Sequence, residues 1–146
     1  MKRIKLLHGI IITLVILLIA RSFFLIFSIP LGLMKNIIIN IPVLLLLGLI
    51  YIERGLSYCI KNGYFNSKSI LKFKRGGLFF IFSGLISLIM GAIMLFFQTN
   101  TILVQNLMYQ NISKSFLILV IGLGLVIISD FIKKGNIIQS ENDLTI

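Results

Sequence analysis

The sequence predicts an all-α membrane protein: four transmembrane helices in two hairpins, with both termini on the cytoplasmic side. Three observations carry this. The 146 residues are 58% hydrophobic and only 12% charged, with a mean hydropathy of +1.09, whereas about a quarter of the residues in a soluble domain are charged. The apolar residues gather into four blocks, each near the ~20 residues that a helix needs to cross a bilayer. The 14 Lys and Arg residues sit mainly in short clusters at the ends of those blocks. The same clustering weighs against nucleic acid as a direct partner, although the net charge is +10.

The first block spans about residues 6–27. Lys2, Arg3 and Lys5 ahead of it resemble the start of a secretory signal. However, Leu18-Ile19-Ala20 runs into Arg21 rather than a cleavage site, and the apolar run resumes at Phe23. An uncleaved helix is expected, with Arg21 snorkelling to the headgroups. Ser28-Ile29-Pro30-Leu31-Gly32 then reads as a turn.

The second block spans about residues 33–60, with Pro42 early in it as a possible kink. After Ile52 the pattern turns amphipathic, and Gly63 is a natural helix stop. The chain from 61 to 75 reads as a basic cytoplasmic loop: Lys61, Lys68, Lys72, Lys74 and Arg75 lie in it and no acid does. Asn66 and Ser67 are candidate N-caps for a short helix over Lys68–Lys74, which reads equally as an interfacial lipid-binding piece and as an ordinary loop.

The third block spans about residues 76–97. Gly77, Gly84 and Gly91 recur at heptad spacing, and Ser83, Ser87 and Gly91 follow at four-residue steps. Small residues on one face permit close helix approach, within the chain or between copies, so Gly84, Ser87 and Gly91 are a candidate homo-oligomer surface. Gln98–Lys114 is polar and reads as a segment outside the apolar span. The fourth block covers about residues 116–134, ending on Lys133, Lys134 and Gly135, with residues 135–146 as a cytoplasmic tail. Ser57, Ile60, Lys61 and Gly63 recur in the same spacing as Ser129, Ile132, Lys133 and Gly135, an echo of two hairpins or of two similar helix stops.

The orientation follows from charge. With the N-terminus inside, Lys2, Arg3, Lys5, the five basic residues of the central loop, Lys133 and Lys134 are cytoplasmic, against Lys35, Lys114 and the interfacial Arg21 outside. The positive-inside rule gives N-in and C-in.

Little supports catalysis. Cys59 and His8 are the sole residues of their types, and no metal helix, nucleophile elbow or phosphate loop occurs. No cofactor or enzymatic activity is expected. Ionisable residues within membrane spans are the default functional candidates. Here they are Glu53, Arg54, Asp130 and His8, all toward the cytoplasmic side. They are expected to form one polar cluster, with Arg54–Asp130 as the first pair to test. An interhelical or interfacial ion pair that only fixes helix register is the favoured account of them.

Two patches resemble the small bacterial four-helix membrane proteins grouped as domain of unknown function 2975. One is Ile60-Lys61-Asn62-Gly63-Tyr64-Phe65-Asn66-Ser67; the other is Asp130-Phe131-Ile132-Lys133-Lys134-Gly135 with Glu141-Asn142-Asp143-Leu144-Thr145-Ile146. The chain departs from that pattern at Asp130, where Glu is usual, and at Tyr64, where Pro is frequent. The resemblance implies a bacterial inner-membrane protein whose partner is a small helix-turn-helix transcription regulator. It implies no assigned activity. The expected contact surface is Lys61, Gly63, Phe65, Asn66, Lys68, Lys72, Lys74 and Arg75, with Glu141, Leu144, Thr145 and Ile146 from the tail. A small transporter using the polar cluster and a membrane-stress or immunity protein acting on lipid are the rival readings.

Overall fold

In the computed structural model the chain is described over residues 2–28, 33–63, 66–97 and 102–143, with side chains over 4–24, 42–63, 66–93 and 109–142. Four helices occupy these residues: α1 (Lys2–Ser28), α2 (Leu33–Asn62), α3 (Ser67–Phe97) and α4 (Ile102–Asp143). Each contains a stretch long and apolar enough to cross a membrane. The helical ladder satisfies its own backbone polar groups, which an apolar solvent demands. Hydroxyls follow the same rule: Thr13 donates to the Gly9 carbonyl at 3.0 Å and Ser22 to that of Leu18 at 2.8 Å. Helix α2 passes through Pro42 without ending, giving up one ladder hydrogen bond there.

The helix count agrees with the sequence; several boundaries do not. Helix α3 begins at Ser67, so most of the stretch expected as a basic loop is the first two turns of one continuous helix. Asn66 is its N-cap: Oδ1 accepts from the Lys68 amide at 2.9 Å, and its carbonyl accepts from the Ser69 and Ile70 amides. Helix α4 takes in residues 102–115 of the polar segment expected before residue 116 and residues 135–143 of the tail expected after residue 134. At 42 residues it is roughly 63 Å long, against roughly 30 Å of hydrocarbon. Gly135 therefore does not end it. Gly63 does end α2, at φ +88°, the left-handed conformation that favours glycine.

The helices stand in an open row. Helix α1 packs on α2, α2 on α3 and α3 on α4; among the described residues no other pair touches. The α3–α4 seam is the tightest. A Cβ placed on Gly77 would meet the Gly122 carbonyl oxygen at 2.8 Å, and one on Gly122 would meet that of Gly77 at 2.9 Å. One on Gly84 would meet the Ser115 carbonyl oxygen at 3.0 Å. The Ser129 hydroxyl donates to the Ile70 carbonyl at 3.0 Å. These pairs step one heptad at a time in opposite directions, so the two helices run antiparallel in fixed register. Small residues make such an approach possible. Among the described residues the fully buried side chains are accordingly all serines: Ser69, Ser83, Ser115 and Ser129.

The α2–α3 seam adds aromatic rings laid on glycine to one glycine approach, where a Cβ on Gly76 would meet the Gly48 carbonyl oxygen at 3.1 Å. Phe80 covers Gly48, and Phe73 lies against Gly55. Ile52, Leu56, Cys59, Phe73 and Phe80 form the buried cluster, with Ile11 of α1. Gly84, Ser87 and Gly91, the candidate homo-oligomer surface, lie on the α4 side of α3: Gly84 packs on Leu119, Ser87 meets Ser115, and Gly91 faces Ile112. That stripe is occupied within the chain.

Candidate functional site

The polar cluster expected from the sequence divides in two. His8 of α1 and Glu53 of α2 meet: Nε2 lies 2.9 Å from Oε1, with the side chains 25% and 28% exposed. They lie equally far along the chain from the α1–α2 connection, as an antiparallel hairpin requires. Either the neutral Nε2–H tautomer or the imidazolium can donate to the carboxylate. This is an interhelical polar contact in a setting of Ile11, Ile52 and Leu56.

Arg54 and Asp130 do not join it. Consecutive helical residues point about 100° apart, so Glu53 turns to α1 while Arg54 is exposed. Helix α3 stands between α2 and α4, so the expected Arg54–Asp130 pair is not made, and neither residue makes an ion pair among the described residues. Asp130 is exposed on α4, in a shallow pocket of about 150 Å³ with Ile127, Phe131 and Lys134. Glu53 and Arg54 instead line an open cleft of about 270 Å³ with Ser57, Tyr58 and Lys61. Among the described residues no three His, Cys, Asp or Glu side chains come together as a metal site would need.

The second region is the shared end of α2, α3 and α4. Lys61, Gly63, Lys68, Lys74 and Arg75 are exposed there, while Asn66 and Lys72 are half-buried. Lys72 Nζ lies 5.1 Å from the Tyr51 ring centroid, a cation–π contact. Ser69 and Phe73 on the opposite face are buried. The Ser129–Ile70 contact sets the register of α3 and α4. From about Lys133 onward α4 has run past the first residue of α3 and continues for about three turns, roughly 16 Å. Residues 137–142, Glu141 among them, are exposed on that projection. Through Asp143 the tail is thus a continuation of the helix. Phe65, Leu144, Thr145 and Ile146 of the expected surface lie outside the described residues.

Sequence reasoning missed the partner of the α3 glycine stripe. Ser115, Gly122 and Ser129 on α4 recur at the same heptad spacing as Gly77, Gly84 and Gly91, and the two series interlock. The signal was present; it needed both helices to be compared. It also missed the hydroxyl contact within that seam. Ser115 and Ser87 oxygens lie 2.6 Å apart, with Ser115 Oγ 2.7 Å from the Asn111 carbonyl.

Comparison with protein-family models, curated proteins and solved structures gives no match.

Proposed function

We propose that the chain is a multi-pass membrane protein of the bacterial cytoplasmic membrane, N-in and C-in, that works as a non-enzymatic interaction protein. Its charged end engages a cytosolic partner. The observation that carries this reading is the projection of α4 past α3 as an exposed helix. It stands beside the basic inner turns of α3, where Lys68, Lys74 and Arg75 are exposed. A helix carried beyond its packing neighbours makes no contribution to the α3–α4 seam. Its exposed Ile137 and Ile138 (46% and 58%) offer an apolar anchor flanked by polar residues. The resemblance to the domain of unknown function 2975 proteins makes a small helix-turn-helix regulator the first partner to try.

Co-purification from solubilised membranes tests this. The full chain should retain such a regulator, and a chain ending at Lys134 should lose it while keeping its four spans. Retention by the shortened chain overturns the reading.

One observation favours a second reading, a small transporter: Glu53 lines an open polar cleft beside an otherwise apolar span. Ion flux into proteoliposomes that disappears in Glu53→Gln would select it over the first.

A further inference from the structure

The outer face of the α2–α3 pair carries a groove of about 310 Å³ lined by Tyr51, Arg75, Leu78, Phe79 and Phe82. Four of these residues come from one stripe of α3, because Arg75, Leu78, Phe79 and Phe82 follow at helical spacings of three and four. Tyr51 of α2 closes the other side, its ring stacked on Phe79 at 5.4 Å between centroids and 21° between planes. Leu78 and Phe82 are 40% and 56% exposed, so the groove opens away from the row.

The groove has a charged end and an apolar end. Arg75 is exposed and makes no ion pair among the described residues. One turn before it stands Lys72, its ammonium over the Tyr51 ring. From Gly76 to Phe97 α3 carries no charge at all. The acids that could neutralise the basic end are engaged or remote. Glu53 is held by His8 on the α1 side of α2. Asp130 lies on α4 beside Lys134, and Glu141 and Asp143 are on the α4 projection.

We propose that this groove binds an anionic phospholipid, its phosphate at Arg75 and Lys72 and an acyl chain along Phe79 and Phe82. Charge complementarity selects the occupant. Two cations that face no carboxylate among the described residues stand where the apolar stretch of α3 begins, which on the membrane reading is headgroup depth, and the aromatic floor continues toward hydrocarbon depth. A guanidinium matches a phosphate in the planar, bidentate manner that Arg favours. The inference rests on the membrane reading above.

The chain contains no Trp, so Phe82→Trp introduces a unique fluorophore in the groove, and Val120→Trp introduces one on the exposed face of α4. Each full-length variant is reconstituted in vesicles of phosphatidylcholine and phosphatidylglycerol, with bromine on the chains of one lipid or the other. At position 82 the brominated phosphatidylglycerol should quench with an apparent affinity about fivefold higher, as expected for a basic contact at an anionic surface. Position 120 should show no preference. Adding Arg75→Gln should bring the preference at position 82 close to one, and Arg75→Lys should keep most of it. Equal quenching by the two lipids at position 82, or a preference undiminished by Arg75→Gln, overturns the site alone. Absence of quenching by either lipid at both positions overturns the membrane reading and the site with it.

Discussion

Gly122 and Gly124 lie two residues apart on α4, in opposite circumstances. A Cβ on Gly124 would have nothing within 4 Å. A Cβ on Gly122 would meet the Gly77 carbonyl oxygen, the Ile81 amide nitrogen and Ile81 Cγ1, each at 2.9 Å. Two of those three atoms are backbone and cannot rotate away, so α3 and α4 must separate. Replacing an interior helical glycine by alanine gains about 0.8–1 kcal/mol in intrinsic propensity at either site. Overpacking at a closed site costs about 1–3 kcal/mol. Gly124→Ala should therefore stabilise by up to about 1 kcal/mol. Gly122→Ala should be neutral or destabilising by up to about 2 kcal/mol once the propensity gain is subtracted. The difference between the two variants, about 1–3 kcal/mol, cancels the propensity contribution and isolates the seam. Unfolding of purified protein from mild detergent by added dodecyl sulfate, followed by circular dichroism, measures it. Gly77→Ala should behave like Gly122→Ala. The double variant should cost less than the sum, because the first substitution already opens the space for the second. Equal midpoints for Gly122→Ala and Gly124→Ala would refute the close backbone contact.

In the same assay His8→Ala and Glu53→Ala should show a coupling of about 1 kcal/mol in a double-mutant cycle, whereas Arg54→Ala and Asp130→Ala should be additive within about 0.5 kcal/mol; a reversed pattern would mean that the cluster pairs as the sequence suggested. Ser129→Ala should cost about 0.5–1 kcal/mol, because the Ile70 carbonyl it leaves still accepts within α3. Ser129→Val should cost more, about 1–3 kcal/mol, by overfilling a fully buried site. Gly63→Ala should destabilise by about 1–2 kcal/mol through its left-handed φ. Gly135→Ala, within helix and without a positive φ, should stabilise the α4 projection, seen as slower amide exchange over residues 136–143.

The four helices were legible because long apolar blocks report the solvent in which a segment sits. Their ends were not legible for the same reason. Ser67–Arg75 and residues 136–143 are polar, and hydropathy cannot separate a helix that has left an apolar layer from a loop. Capping chemistry did better: Asn66 and Gly63 lie where their side-chain and backbone preferences predict. Gly135 misled because a glycine permits a left-handed stop without imposing one, and Asn136, Ile137 and Ile138 continue the helix. For the polar residues, sequence counting gave depth along the helices but not lateral order. Glu53, Arg54, Asp130 and His8 were placed at one end, yet only knowledge that the helices stand in a row separates Asp130 from Arg54. The α3 glycine stripe was visible as a packing face. Its matching series on α4 is what identifies the partner.

The three seams are graded, and the grading bears on what His8 and Glu53 do. Helices α3 and α4 touch backbone to backbone. Helices α2 and α3 touch through rings laid on glycine and, less closely, backbone to backbone at Gly48 and Gly76. Helix α1 contributes one buried side chain among those described, Ile11. On the membrane reading, apolar surface alone supplies no force between the helices; packing and interhelical hydrogen bonds hold them. A sparsely packed α1 therefore depends on the His8–Glu53 contact for its placement more than α3 or α4 depends on any single bond. That distinguishes an attachment role from a transport role. If the pair is an attachment, His8→Ala frees α1 while the seams of α2, α3 and α4 persist, and Glu53→Gln, which can still hydrogen-bond His8, leaves α1 in place. If Glu53 carries an ion, Glu53→Gln abolishes flux with every helix where it was.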